Sequence, residues 1–313
     1  MKLSFLCLLF LSGSFSMSAQ NTATLASAGY TAPAAPTPVA PGQVITFFFR
    51  NVAPLPDGSL RTDQASTVPL PSLLGGLSAH FGNPPVSLPI FAVRQENDCQ
   101  SERSNPACLL TALRVQIPTD LQPVMEVVLE VDGQASRSFS LTQNSDNAHV
   151  LTSCDLTWDT DWTHSCNRLV FHADGSQVTQ RSPARPGETI LVYAWGLGRT
   201  TPAVSAGTVS PSAAVVTQIP GFTGVHAKFL NGPRASLTAI PPELSQDDSS
   251  VPEAAIEFAG LTPGQIGLYQ LNIAIPQSLA PTTTCGDAVL ANEVLHISTP
   301  YAGTQEVGFC LKR

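Results

Sequence analysis

The densest gathering of chemistry-bearing side chains in this chain is the run Cys154-Asp-Leu-Thr-Trp-Asp-Thr-Asp-Trp-Thr-His-Ser-Cys166. It holds Trp158 and Trp162, two of the three tryptophans, together with Asp155, Asp159, Asp161 and His164. An indole face stacks on the apolar face of a sugar ring, and neighbouring carboxylates accept hydrogen bonds from its hydroxyls. Trp158, Asp159, Asp161, Trp162 and His164 are therefore candidate ligand-binding residues. The same acids could hold calcium through oxygen ligands. The plainer alternative is that one tryptophan packs on a disulfide and the acids are solvated. A loop closed by cysteines is where a β scaffold accommodates a binding function, so this segment is the first candidate for a partner contact.

The cysteines themselves point to disulfides. Apart from Cys7, they fall into three close pairs: Cys99 with Cys108, Cys154 with Cys166, and Cys285 with Cys310. Six cysteines allow 15 connectivities; neighbourhood favours these three, because each closes a short local loop. A loop of about ten residues contributes roughly 2–3 kcal/mol by the chain-entropy argument. The competing reading is a metal site. It lacks any Cys-x-x-Cys and any histidine pair at zinc spacing, so neither metal nor cofactor is expected.

Other catalytic signatures are missing. There is no Gly-x-Ser-x-Gly elbow, no His-Glu-x-x-His and no phosphate-binding glycine loop leading into a helix. The six histidines are His80, His149, His164, His172, His226 and His296. His80 and His226 fall at equivalent outward strand positions and read as surface groups. A Ser-His-acid triad stays open, because its members need not be close in sequence. The expectation is a non-catalytic protein, with a secreted hydrolase as the third class.

Composition narrows the partners. The formal charge is −8, with 15 basic and 23 acidic residues, and no basic patch interrupts it. That argues against nucleic acid and anionic membranes. Lys2 followed by the apolar run Leu3 to Leu11, then Ser16-Met-Ser-Ala19, reads as a signal peptide over 1–19. No segment approaches the ~20 apolar residues of a membrane helix. The expected location is secreted or periplasmic, with an unknown protein or glycan partner at the cell surface.

The elements that must position these residues are strands. Charged residues make up only 12% of the chain, and 27 prolines and 22 glycines supply turns, a balance that disfavours long solvated helices. Val44 to Phe49 and Ile190 to Trp195 are short buried runs. Leu77, Ala79 and Phe81 alternate with polar residues, as do Leu113, Val115 and Ile117; each reads as a strand with one wet face. Glu126 to Val131 and Phe139 to Leu141 form a hairpin about Asp132-Gly133. No sustained helical period occurs, so helices should be short or absent.

The pattern is stated twice. Pro41-Gly-Gln-Val-Ile-Thr-Phe-Phe-Phe49 returns as Pro186-Gly-Glu-Thr-Ile-Leu-Val-Tyr-Ala194. Leu77 to Pro85 returns as Val225 to Pro233, and Leu113 to Leu121 as Leu271 to Leu279. A repeat of this size is a domain rather than a solenoid unit. The expected fold is all-β: two tandem immunoglobulin-like β-sandwich domains over 20–143 and 144–313, with the polar stretch Asn144 to Asn147 as boundary.

Two runs in the second copy carry a resemblance. The first comprises His172-Ala-Asp-Gly-Ser176, Pro183-Ala-Arg-Pro-Gly-Glu-Thr-Ile190 and Tyr193 to Val204; the second is Phe258 to Ile273. Together they resemble the Solibacter-type uncharacterised C-terminal domain, a module of secreted bacterial proteins, over about 165–280. Thr24 to Tyr30, Pro41 to Ile45 and the Val127 to Leu141 hairpin are similar to parts of the same group. The resemblance implies an immunoglobulin-like sandwich and no enzymatic activity. The cysteine loops depart from it, as does the ending from Cys285 to Cys310, which is not the usual hairpin. Within the resemblance Tyr269 is expected to be a core aromatic whose hydroxyl caps a backbone group.

Overall fold

The structure, a computed structural model, describes residues 22–30, 38–82, 84–98, 106–120, 124–158, 166–212, 214–216, 224–234, 253–281, 283–286 and 289–312. The expected signal peptide and Cys99 lie outside these residues, so the Cys99–Cys108 pairing does too. Within them the chain is almost entirely antiparallel β. The first half contains β1 (Thr24–Gly29), β2 (Val44–Arg50), β3 (Thr62–Gln64), β4 (Leu73–Leu74), β5 (Leu77–Phe81), β6 (Val86–Ser87), β7 (Ile90–Asn97), β8 (Leu109–Gln116), β9 (Val124–Val131), β10 (Gln134–Ala135) and β11 (Phe139–Thr142). The second half contains β12 (His149–Val150), α1 (Ser153–Thr157), β13 (Phe171–His172), β14 (Thr189–Trp195), β15 (Thr200–Thr201), β16 (Val215–Val216), β17 (His226–Arg234), β18 (Ala255–Leu261), β19 (Tyr269–Ala274), β20 (Ala291–Thr299) and β21 (Gly303–Phe309).

The two halves share one pairing scheme. The first builds a sheet ordered β1-β2-β8-β7-β3 and a second around β5, β9 and β11; the second builds β12-β14-β19-β18-β16-β15 and β17-β20-β21. Register repeats as well as order. Val44 lies opposite Gln116 and Phe48 opposite Ala112 in β2–β8. Their repeat counterparts Thr189 and Tyr193 lie opposite Ala274 and Gln270 in β14–β19. Because side chains alternate with a period of two, keeping register keeps the same positions facing inward.

Each pair of sheets encloses its own apolar core. In the first half Ile45, Phe47, Phe49, Leu113 and Val115 meet Leu77, Ala79, Phe81, Val127 and Leu129. In the second Ile190, Val192, Leu271 and Ile273 meet Ala227, Phe229, Leu295 and Ile297. Full burial of each such side chain stabilises the fold by about 1.5–3 kcal/mol, the main favourable term here. The Asp132-Gly133 turn forms with both residues at positive φ, 50° and 77°. Asp132 also pairs with Arg61, which is fully buried and donates further to the carbonyls of Ala53, Pro54 and Gly75. Tyr269 is buried, and its hydroxyl donates to the Gly198 carbonyl, as the motif implies.

Two local expectations are corrected. Gln116 and Arg114 do not lie on a wet face: Gln116 is buried and Arg114 is part-buried, because the second half covers that side of β8. The segment between Cys285 and Cys310 does contain a hairpin, β20–β21, paired from Glu293↔Phe309 to Thr299↔Gly303. Its first strand is buried on both faces, Asn292, Glu293 and His296 included, so no alternation marks it in the sequence. The polar stretch 144–147, the expected boundary, is bonded into the second half. Asp146 is buried and accepts from Thr299 Oγ1 at 2.6 Å, Tyr301 N at 3.1 Å and Ala302 N at 3.0 Å, clamping the β20–β21 turn.

Two predictions follow from these buried positions. Gly196 has φ 76°, and a Cβ there would lie 2.3 Å from the Asn147 carbonyl oxygen; Gly196→Ala should destabilise by about 2 kcal/mol or more in urea unfolding. Burial raises the Glu293 carboxyl to about 7, opposed by a hydrogen bond from Val294 N. The folded state thus holds a proton that the unfolded state releases near its ordinary pKa. Stability from this group is full below about pH 4.5 and declines as pH rises to about 7, by about 3 kcal/mol in all. Glu293→Gln should raise Tm at pH 8 and leave it nearly unchanged at pH 4.5.

Candidate functional site

The Cys154–Cys166 disulfide forms, as does Cys285–Cys310. The former staples α1 to the strand-like segment at Arg168. α1 starts with a capping box: Thr152 Oγ1 accepts from Asp155 N at 3.4 Å, and Asp155 Oδ2 accepts from Thr152 N at 2.7 Å. Asp155 Oδ2 also lies 2.9 Å from His149 Nε2. Burial pushes this carboxyl up, but His149 and the Thr152 hydroxyl and N–H outweigh it and hold it below the usual range. Asp155 is thus committed to structure.

α1 ends at Trp158, which takes the left-handed conformation (φ 49°, ψ 43°) that turns its indole away from the helix. The ring packs on Phe48, Leu110 and Ala112 of the first half. Its carbonyl accepts from Arg94 Nη1 at 3.1 Å. Arg114 completes the contact, with its guanidinium carbon 5.7 Å from the Trp158 ring centre and 4.7 Å from that of Trp195. Tyr30 stacks on His149 at 3.6 Å and on Trp195 at 5.3 Å. Gln43 Nε2 donates to the Tyr30 hydroxyl at 2.8 Å. Val44 and Leu151 close the patch. Of the sequence candidates, Trp158 alone is placed, at this junction between halves; Asp159, Asp161, Trp162 and His164 lie outside the described residues.

The same disulfide loop borders a cleft on its other side. The cleft has a volume of about 560 Å³ and is flanked by both cystines. Val170, Val178 and Phe309 form an apolar floor, each less than 9% exposed. Leu156 and Leu290 stand on the rim at 65% and 36% exposure. Polar side chains that include Asn167, Gln177, Thr179 and Gln180 share the lining, with Arg168 and Arg181 as its cations. Burial lowers the Arg168 guanidinium, opposed by Asp155 and Glu306, and its Nη1 donates to the Val150 carbonyl at 3.2 Å. Apolar walls with a few polar groups at this size are the usual make-up of a ligand or side-chain pocket.

Among the described residues each histidine lies beside an acid. His80 lies 4.0 Å from Glu130, His226 lies 3.2 Å from Glu253, and His296 lies 3.0 Å from Glu306. His172 and Glu188 join the two halves of the HADGS and PARPGE run. Among the described residues no group of three or more His, Cys, Asp or Glu side chains converges to hold a metal ion, and no helix is long and apolar enough to cross a membrane.

No family model, no curated protein and no solved structure matches this chain. The likeness to the Solibacter-type domain therefore rests on its motif runs alone.

Sequence reasoning located the loop but missed the cleft, since its floor comes from β21 and from 170–178, far apart in sequence. The junction yields a prediction. Arg114→Ala removes two cation–π contacts and a hydrogen bond of 3.5 Å to the Asp155 carbonyl. It should cost about 2 kcal/mol in urea unfolding, whereas Arg137→Ala at an exposed site should stay within about 0.5 kcal/mol.

Proposed function

We propose that this chain is an extracytoplasmic, partner-binding protein made of two immunoglobulin-like modules, and that the cleft beside the Cys154–Cys166 loop receives the partner. Adhesion or surface scaffolding is the corresponding role. The observation that carries this reading is the cleft itself: two exposed leucines, Leu156 and Leu290, above an apolar floor, between two disulfide-anchored segments. Exposed apolar side chains at a concave site favour contact with another apolar group. The disulfides support an oxidising compartment, and the resemblance supports a module used on secreted bacterial proteins.

The carbohydrate-binding alternative loses part of its platform, because the Trp158 indole is occupied by Phe48, Leu110 and Arg114. It would rest on Trp162 with Asp159, Asp161 and His164.

Labelled full-length protein should be retained on cells of the native host. Leu156→Arg and Leu290→Arg should each reduce that retention at least about tenfold while changing stability by less than about 0.5 kcal/mol. Retention unchanged in both variants would sink the cleft reading. Binding on a glycan array that Trp162→Ala abolishes, with the leucine variants inert, would move the function to the loop.

A further inference from the structure

Three turns of the second half bring a serine, a histidine and a carboxylate into line. His172 lies at the end of β13, whose following turn is fixed by Ser176 N donating to Asp174 Oδ1 at 2.9 Å. Glu188 precedes β14. One of its oxygens accepts from Arg185 N at 2.8 Å, and the other lies 2.5 Å from His172 Nδ1. Ser182 closes the turn from Thr179, with its N–H donating to Thr179 Oγ1 at 3.0 Å. Its hydroxyl oxygen lies 3.2 Å from His172 Nε2. The His172 and Glu188 side chains are only 16% and 20% exposed, whereas Ser182 is open to solvent.

Chemistry assigns the proton positions. An ionised Glu188 only accepts, so His172 Nδ1 carries the hydrogen and Nε2 of the neutral ring offers a lone pair. Nε2 faces two oxygens of Ser182, the hydroxyl and the carbonyl at 3.1 Å. Only the hydroxyl can donate to that lone pair. When the ring is protonated the carbonyl becomes an acceptor for Nε2–H, which stabilises the imidazolium. These are the relations of nucleophile, general base and orienting acid.

We infer that Ser182 is a nucleophile activated by His172 and positioned by Glu188, and that it reacts with activated carboxylic esters. Ser182 Oγ forms a bond to the acyl carbon as its proton passes to His172 Nε2. The carbonyl electron pair moves to oxygen, then returns as the bond to the leaving oxygen breaks, and that oxygen takes the proton from Nε2. Water, deprotonated by Nε2, attacks the acyl-serine, releasing the carboxylic acid and restoring the hydroxyl. Pro183 has no N–H, and the Ser182 N–H is engaged by Thr179, so neither residue supplies an oxyanion donor. The acceleration then rests on general base catalysis, about 10²–10⁴-fold, which suits esters whose leaving group is already good.

The test uses full-length oxidised protein, an alkyl fluorophosphonate probe and p-nitrophenyl acetate. Wild type should be labelled at the peptide carrying Ser182 and should hydrolyse the ester. Ser182→Ala should lose both with an unchanged Tm. Glu188→Gln keeps an acceptor for Arg185 N but donates to Nδ1, forcing the hydrogen onto Nε2; its labelling rate should fall at least about 100-fold. Arg137→Ala, at an exposed position of the first half outside both sites, should react like wild type. Folded wild type that takes no label, label at a residue other than Ser182, or Glu188→Gln reacting at the wild-type rate would overturn the assignment.

Discussion

The constraint behind this structure is that β2 and β14 bury side chains on both faces. In β2, Ile45, Phe47 and Phe49 point into the first core, while Val44 and Phe48, no less buried, point away from it. A sheet with one apolar face needs one partner layer; this one needs two. The second layer comes from the other half, whose β14 also divides its residues: Ile190, Val192 and Ala194 inward, Tyr193 and Trp195 toward the junction. The two halves therefore meet by their outer sheet faces. Gln116 shows how far this governs detail. Its amide accepts from Gly207 N at 2.6 Å and donates to the Gly42 carbonyl at 3.1 Å, serving both halves at once.

Arg114 sits where that packing would otherwise fail. A guanidinium on a covered face loses hydration, and burial lowers its proton affinity, opposed by Asp155 and Tyr30. Its planar cation instead finds the faces of Trp195 and Trp158. This gives the junction directional preference that aliphatic contact lacks, since the indoles must be presented at set positions. Trp158 is presented by α1, and α1 is held by the Thr152–Asp155 capping box and the Cys154–Cys166 cystine. A loop that reads in isolation as a ligand platform is thus anchored partly for the sake of the junction.

Much of the fold was legible because duplication and alternation are local properties of sequence. The spacing between repeated motifs matches the spacing between equivalent register pairs, so the equivalence of β2 with β14 and of β8 with β19 was readable, while their pairing was not. The missed features depend on what covers a residue. β20 carries Asn292, Glu293 and His296 into the interior, and Asn292 is satisfied there by the carbonyls of Thr283 and Leu311. No period of polarity survives such burial. Arg114 and Gln116 read as wet because their cover comes from another part of the chain. The Cys154–Cys166 and Cys285–Cys310 pairs were legible for the opposite reason, that their partners are close in sequence.

The same distinction separates the candidate sites. The Cys154–Cys166 loop was visible as a concentration of residue types, yet its placed tryptophan is engaged in packing. The cleft and the Ser182–His172–Glu188 line were invisible, although His172 and Glu188 both belong to the run His172 to Ile190 that stands out in the sequence. Their hydrogen bond explains that run physically: it ties the turn after β13 to the turn before β14, and Arg185 N locks the acid. A structural tie of this kind needs only the histidine and the glutamate. It does not need a hydroxyl at Nε2, and Ser182 could be any residue whose carbonyl closes the Thr179 turn. The serine is therefore the informative position, since it is the member of the line that structure alone leaves free to vary.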